Sequence, residues 1–147
     1  MRIKEKIRNT IRATVLTNML YFGGLVFFDF LAQVGSPYIP SSQIEEKISE
    51  ERKFLNISDK ASIKFTSIEE GTVGPNAYSH KIKDNEYGIA LSKGFMNLSV
   101  LRHELFHIAD GHLEGSEESS YISRYFRILF WEEPRAIFYS LKEKNRT

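Results

Sequence analysis

A run of twenty residues, Ala13 to Ala32 (ATVLTNMLYFGGLVFFDFLA), carries a single charge, Asp29. Such a run must leave water, either in a bilayer or against a protein core, and its length matches the roughly 20 residues a helix needs to cross a membrane. The twelve residues before it hold Arg2, Lys4, Lys6, Arg8 and Arg12 against Glu5 alone. A basic flank followed by an apolar run is how a signal anchor or signal peptide begins. Asn18, Gly23, Gly24 and Asp29 temper the apolar character. The competing arrangement is a long helix packed on the domain, with Ile3, Ile7, Ile11 and Val15 forming one stripe. Membrane contact through residues 13–32 is the expectation, with a membrane-anchored or exported location first and a cytoplasmic one second.

The rest of the chain has the length and composition of one domain. Of 147 residues, 41% are hydrophobic and 27% charged, enough apolar matter for a core. A net charge of +1 lacks the basic excess of a nucleic-acid binder, so no nucleic-acid partner is expected. The absence of cysteine excludes disulfides, thiolate metal sites and a cysteine nucleophile. Any metal must be held by His, Asp or Glu.

Gly35, Ser36, Pro37 and Pro40 mark a break, which divides the chain into an N-terminal helix and linker, 1–40, and a domain over 41–147. Ser42 is placed to cap a helix over residues 43–55, with Ile44, Ile48 and Leu55 inward. Short β-type runs follow at 61–68, with Ile63, Phe65 and Ser67 on one face, and at 77–82 and 87–91, separated by turns at 71–75 and 84–85. The pattern then turns helical over 96–110, stopping at Gly111, and again over 119–143, interrupted by Pro134. The fold class expected is α+β: a small antiparallel sheet packed on two C-terminal helices, behind an N-terminal hydrophobic helix.

The first of those helices contains His103-Glu104-Leu105-Phe106-His107, an HExxH motif. Residues four apart on a helix share a face, so both imidazoles can reach one ion, in two corners of a tetrahedron. Glu104 projects beside that ion, placed to accept a proton from an activated water. With four His and fifteen Glu in the chain, chance gives this pattern on the order of one time in a hundred. The bland alternative is a charged helix face without metal.

Two histidines leave a metal site incomplete. His112 is nearest in sequence, but Asp110 and Leu113 stand where HExxHxxGxxH would need Gly and His. Asp110 is better suited to hydrogen-bond a ligand histidine. Glu132 and Glu133 are the stronger candidates, because they lie in an aromatic-rich helix (Tyr125, Phe126, Phe130, Trp131, Phe138, Tyr139) where a buried carboxylate needs a partner. Alternatively, Pro134 starts a new helical segment and the acids are its favourable N-terminal charges.

The stretch His103–His112, HELFHIADGH, resembles the HExxHxxxGH of small gluzincin peptidases of the ImmA/IrrE type and of the minigluzincins. The resemblance covers roughly residues 60–142 and leaves 1–42 outside. It implies a zincin-like fold, with an antiparallel sheet whose edge strand precedes the HExxH helix and a following helix that supplies a glutamate. Glu133-Pro134-Arg135-Ala136 fits the family's ExxA, which implies Glu133 as third ligand beside His103 and His107, although Ile137 stands where the family carries Asp or Asn. The implied activity is that of a zinc metallopeptidase, hydrolysing a protein or peptide substrate with a zinc-activated water and Glu104 as general base. Tyr139, Tyr125 and His80 are candidate oxyanion donors, and Tyr87, Gly88, Ile89, Ala90 and Leu91 the strand whose edge would pair with substrate. The alternative is a catalytically inactive gluzincin-like regulatory or binding protein at a membrane.

Overall fold

The computed structural model describes residues 3–69, 76–114 and 127–143, with side chains of the first helix from Thr10 onward. Among these are four α-helices and a three-stranded mixed sheet, in an α+β arrangement. Helix α1 (Ile3–Gln33) comes first, then α2 (Ile44–Phe54), strands β1 (Ser62–Ile68), β2 (Ala77–Lys83) and β3 (Glu86–Ser92), helix α3 (Leu98–Ala109) and helix α4 (Glu133–Lys142).

The core fills the space between the sheet and helices α2 and α3. Ile44 and Ile48 from α2, Ile89 and Leu91 from β3, and Leu101 and Leu105 from α3 are all buried in it. Leu55 and Phe65 close its margins. Helix α2 begins after a 3-10 turn over Ser41–Gln43, with Gln43 at the N-cap and no side-chain cap, so Ser42 does not cap it as expected. A polar tie joins α2 to α3: the Arg102 guanidinium donates to Glu51 at 2.9 Å, both side chains buried. Arg102 also donates to the carbonyl of Glu143 at the end of α4, so one residue knits three helices.

The sheet departs from the expectation of an antiparallel meander. Its order is β1-β3-β2, with β1 parallel to β3 and β2 antiparallel to it. The β2–β3 hairpin closes through Asp84 and Asn85, where Asn85 takes a left-handed φ of 59°. Central β3 has both backbone edges occupied, so Tyr87–Leu91 cannot pair with a substrate. Its unbroken burial from Tyr87 to Ser92 is what a strand covered on both faces shows. The edge near α3, unpaired among the described residues, belongs to β2. On the far side of the sheet His80 lies across Gly88, where a Cβ would collide with its ring.

Helix α3 starts at an Asn97 cap, whose side chain accepts from the Val100 N–H at 3.0 Å. It ends in a Schellman turn: Gly111 has φ 72°, and the N–H groups of His112 and Gly111 donate to the carbonyls of His107 and Ile108. Helix α4 crosses α3 where Ala136 and Ser140 are buried, and the Ser140 hydroxyl donates to the Ser99 carbonyl at 3.2 Å.

Helix α1 docks only by its second half. Tyr21 stacks on Phe130 with centroids 5.0 Å apart, Phe28 meets Phe138, and Ala32 is buried. Residues 10–20 are exposed throughout, Ile11 and Val15 among them, so those two members of the expected stripe do not pack on the domain, and the side chains of Ile3 and Ile7 lie outside the described ones. Thr10–Gln33 is long and apolar enough to cross a membrane by length and composition, and nearly all of it lies outside the core. The linker is fastened nonetheless: Ile39 is buried, its N–H donates to Met96, and Pro37 accepts from Leu98.

Candidate metal centre

The HExxH spacing works because α3 is regular through both histidines. The His103 and His107 Nε2 atoms lie 3.1 Å apart and face α4. What they face is decided by a local irregularity. Residues Ile128–Glu132 form a π-helical turn that runs directly into α4, with the Glu133 N–H reaching the Ile128 carbonyl five residues back. Pro134 is the cause in the sequence. It has no N–H for the Phe130 carbonyl, and its ring crowds that carbonyl, so the helix widens by one residue. Leu129's carbonyl is then left without a helical donor, because Glu133 has turned to Ile128 and Pro134 has none to give. The Tyr21 hydroxyl of α1 donates to it at 3.1 Å.

The widened turn separates the two glutamates. Glu133 turns toward α3, with its carboxylate oxygens 3.3 Å from His103 Nε2 and 3.5 Å from His107 Nε2. Glu132 is buried away from the histidines' ligand atoms, 2.7 Å from the Arg127 Nε. Its partner is therefore Arg127, not the solvent or Arg135 that helical phase alone would suggest.

His103, His107 and Glu133 could together hold a metal ion, each offering one ligand atom within 4.8 Å of the others. A tetrahedral ion with bonds of about 2.0–2.1 Å keeps its ligand atoms about 3.3–3.4 Å apart. The two imidazole nitrogens are 3.1 Å apart. The Glu133 carboxylate meets them with different oxygens, Oε2 at 3.3 Å from His103 and Oε1 at 3.5 Å from His107. Both nitrogens and the carboxylate thus converge on one point, although no single carboxylate oxygen is at both distances. Two imidazoles with one carboxylate is also a donor set that suits zinc and leaves a fourth position open.

Behind this trio runs a chain of close polar contacts. His107 Nδ1 lies 2.7 Å from His112 Nδ1, and His112 Nε2 lies 2.7 Å from Asp110. Arg135 grips both oxygens of Asp110, at 2.5 and 2.8 Å. The guanidinium is itself held over the rings of Phe106 and Trp131. The His112 Nε2 edge lies against the Asp110 carboxylate, which favours the proton on that nitrogen. With neutral rings His107 Nδ1 then donates to His112 Nδ1, and the His107 Nε2 lone pair faces His103 and Glu133. His112 thus orients a ligand position and does not itself join the trio, and the Schellman turn at Gly111 folds it back to do so. Asp110 acts through His112, one step further out than the sequence implied.

The ionisation of the metal-free trio follows from the same contacts. Burial works to lower the His103 pKa, but the Glu133 hydrogen bond and the charges of Glu104, Glu133 and Asp29 outweigh it, and the net shift is upward. Burial and the neighbouring His103 charge hold His107 down at about 4. Burial alone would raise Glu133, yet the hydrogen bond from His103 and the imidazole charges bring it down. Without metal, the contact with Glu133 favours the charged form of His103, while His107, held at about 4, is neutral at neutral pH.

Glu104 is buried on the side of α3 that faces β2, and burial raises its pKa despite hydrogen bonds from Ser79. Ser79 was invisible in the sequence. It reaches the site because Ala77 and Ser79 share the inward face of β2, while Tyr78 and His80 point outward. His80, stacked on Tyr78 beyond the sheet, is not brought to the site. Tyr139 packs on Phe106, on the relay side of α3, and lines neither cavity at the trio. Tyr125 lies outside the described residues.

Two cavities flank the trio and share Ala77, His103, Glu104 and Glu133. One, of about 450 Å³, runs along β2 past His107 and His112. The other, of about 400 Å³, lies between the trio and α1, where Leu25, Val26, Asp29 and Gln33 form its far wall. No sequence signal marked the second half of α1 as part of this site, beyond the one charge, Asp29, in an otherwise apolar run. No family model, no curated protein and no solved structure matches this chain.

Proposed function

We propose that this chain is a zinc-dependent metallopeptidase of the gluzincin kind, with His103, His107 and Glu133 as ligands and Glu104 as general base. The observation that supports the reading is the convergence of two imidazole nitrogens and one carboxylate within 4.8 Å, with a second carboxylate, Glu104, beside them. Bound zinc would polarise a water molecule and the scissile carbonyl. Glu104, desolvated so that its proton affinity is raised, takes the proton of the attacking water and returns it to the leaving amine, so the C–N bond breaks as the C–O bond forms. Ser79 holds the Glu104 carboxylate in place meanwhile. The outer edge of β2, beside the trio and unpaired among the described residues, is where an extended peptide can pair with backbone groups. Helix α1 is the candidate membrane anchor, with the basic residues 2–12 on the cytoplasmic side.

The test is metal content followed by turnover. The full chain should bind one zinc and hydrolyse peptides, and Glu104→Gln should keep the zinc while losing about 10²- to 10⁴-fold in hydrolysis. Undiminished hydrolysis in that variant would remove the mechanism. Zinc binding with no hydrolysis in either protein would leave the rival class, an inactive gluzincin-like binding protein.

A further inference from the structure

The apolar surface of α1 does not stop at α1. Leu16, Met19, Leu20, Val26, Phe27 and Phe30 are each more than half exposed, and none is charged. Alongside them Phe130, Trp131 and Phe138 are exposed on the adjoining turns leading into and along α4. Tyr21 meets Phe130 while Phe28 meets Phe138, so the two helices run parallel and their outward apolar edges adjoin, with the partly exposed Arg135 guanidinium over the Trp131 ring as the charge at the margin. Side chains of this size, so exposed, sum to on the order of 1,000 Å², beyond the few hundred a soluble monomer shows.

The metal cleft opens on this face. Val26 is 71% exposed and at the same time lines the 400 Å³ cavity beside the trio. The cavity wall carries Leu25 and Val26 from α1, Leu129 from the π turn, Phe95 and Val100, and Ile137 from α4, with Asp29, Gln33 and Asn76 as its polar members outside the trio and Glu104. Asp29, the one charge in the apolar run, is turned off the outer face into the cavity, where it accepts from Gln33 at 2.8 Å.

Helix length selects the covering. At 1.5 Å per residue, Thr10–Gln33 extends about 36 Å, enough to cross a hydrocarbon core of about 30 Å. The basic flank at one end supplies the charge asymmetry of an inserted helix.

We propose that the shared face of α1 and α4 is embedded in a lipid bilayer, and that the metal cleft opens onto it between α1 and α3. The substrate is then a peptide held in the membrane, which presents a large apolar side chain to the cavity beside α1. This substrate class rests on the peptidase reading above; the surface itself does not.

The experiment uses the full chain in phosphatidylcholine vesicles. Trp131 is the only tryptophan, so its emission reports this face alone. Lipids brominated along the acyl chain should remove most of that emission and acrylamide little of it. Quenching by acrylamide alone overturns the proposal, and so does protection from both quenchers, which would mean a second copy covers the face. Binding is then read without turnover, on Glu104→Gln, by energy transfer from Trp131 to a dansylated apolar peptide. The peptide is made soluble, and again with an apolar anchor of about 20 residues. The anchored form should bind at least about a hundredfold tighter. Filling the mouth with Leu25→Phe and Val26→Phe together, which keeps the face apolar, should weaken that binding about tenfold while lipid quenching persists. Equal binding of both peptides, or no effect of filling the mouth, overturns the proposal. A chain that passes these readouts yet hydrolyses nothing fails only the peptidase reading.

Discussion

Removing the His112 imidazole isolates what holds His107 in its ligand orientation. His112→Ala deletes the acceptor 2.7 Å from His107 Nδ1 and disconnects Asp110 and Arg135 from the trio. Outer partners of a ligand histidine are worth about 10- to 100-fold in metal affinity, or about 1.4–2.7 kcal/mol. The His112 side chain is only 6% exposed, so water cannot readily take its place and the loss should fall in the upper half of that range. Asp110→Asn should cost less, about tenfold, because Asp110 is 23% exposed and the amide still offers one acceptor to His112. The measurement is a zinc titration against a competing chelator at neutral pH, with His103→Ala as the reference for loss of a ligand. Wild-type affinity in His112→Ala would show that this chain of contacts does not set the His107 ring. Loss as complete as in His103→Ala would make His112 a ligand and replace the His/His/Glu centre with a three-histidine one.

Glu133→Ala should abolish tight zinc binding in the same titration, whereas Glu132→Ala should keep it. Because Glu132 is buried against Arg127, its loss should lower thermal stability by about 1–3 kcal/mol, and a melt with unchanged midpoint would refute that pairing. Arg102→Met should destabilise by about 3–5 kcal/mol in urea, since it removes the buried guanidinium that pairs with Glu51 and uncaps α4, while Arg102→Met with Glu51→Leu should recover much of the loss; additive costs would show the pair is not coupled. Zinc must displace the proton that His103 holds. The His103–Glu133 pair stabilises the metal-free chain below the unfolded histidine pKa and loses that contribution as pH rises through the raised folded value. Zinc affinity should therefore climb with pH up to that value, with about one proton released per zinc below it, as read by calorimetry in buffers of different ionisation enthalpy; uptake without proton release would mean that His103 is already neutral.

The sequence alone determined whatever rests on local geometry. Four-residue spacing on a helix puts His103 and His107 on one face, Gly111 stops that helix at its C-terminal end, and a twenty-residue apolar run forms a helix whatever it meets. These follow from backbone periodicity and need no distant partner. The Asn97 cap, which moves the start of the histidine helix from 96 to 98, was seen only in the structure. Strand order did not follow, because it depends on which edges meet in space. The run Tyr87–Leu91 nevertheless carried the clue, an apolar stretch without alternation, that it lies at the centre of the sheet and not at its rim. The exposure of Ile11 and Val15 and the docking of Tyr21 and Phe28 were likewise tertiary decisions, since an apolar helix has no unique inward stripe until α4 offers one. The choice of Glu133 over Glu132 lay between the two levels. Pro134 is visible in the sequence, but the direction in which its π turn aims each carboxylate depends on Tyr21 taking the Leu129 carbonyl, Arg127 taking Glu132, and α3 standing where Glu133 can reach it. A side chain one residue along a helix turns by about 100°, so a single widened turn suffices to exchange which acid faces His103 and His107, and only packing fixes that turn.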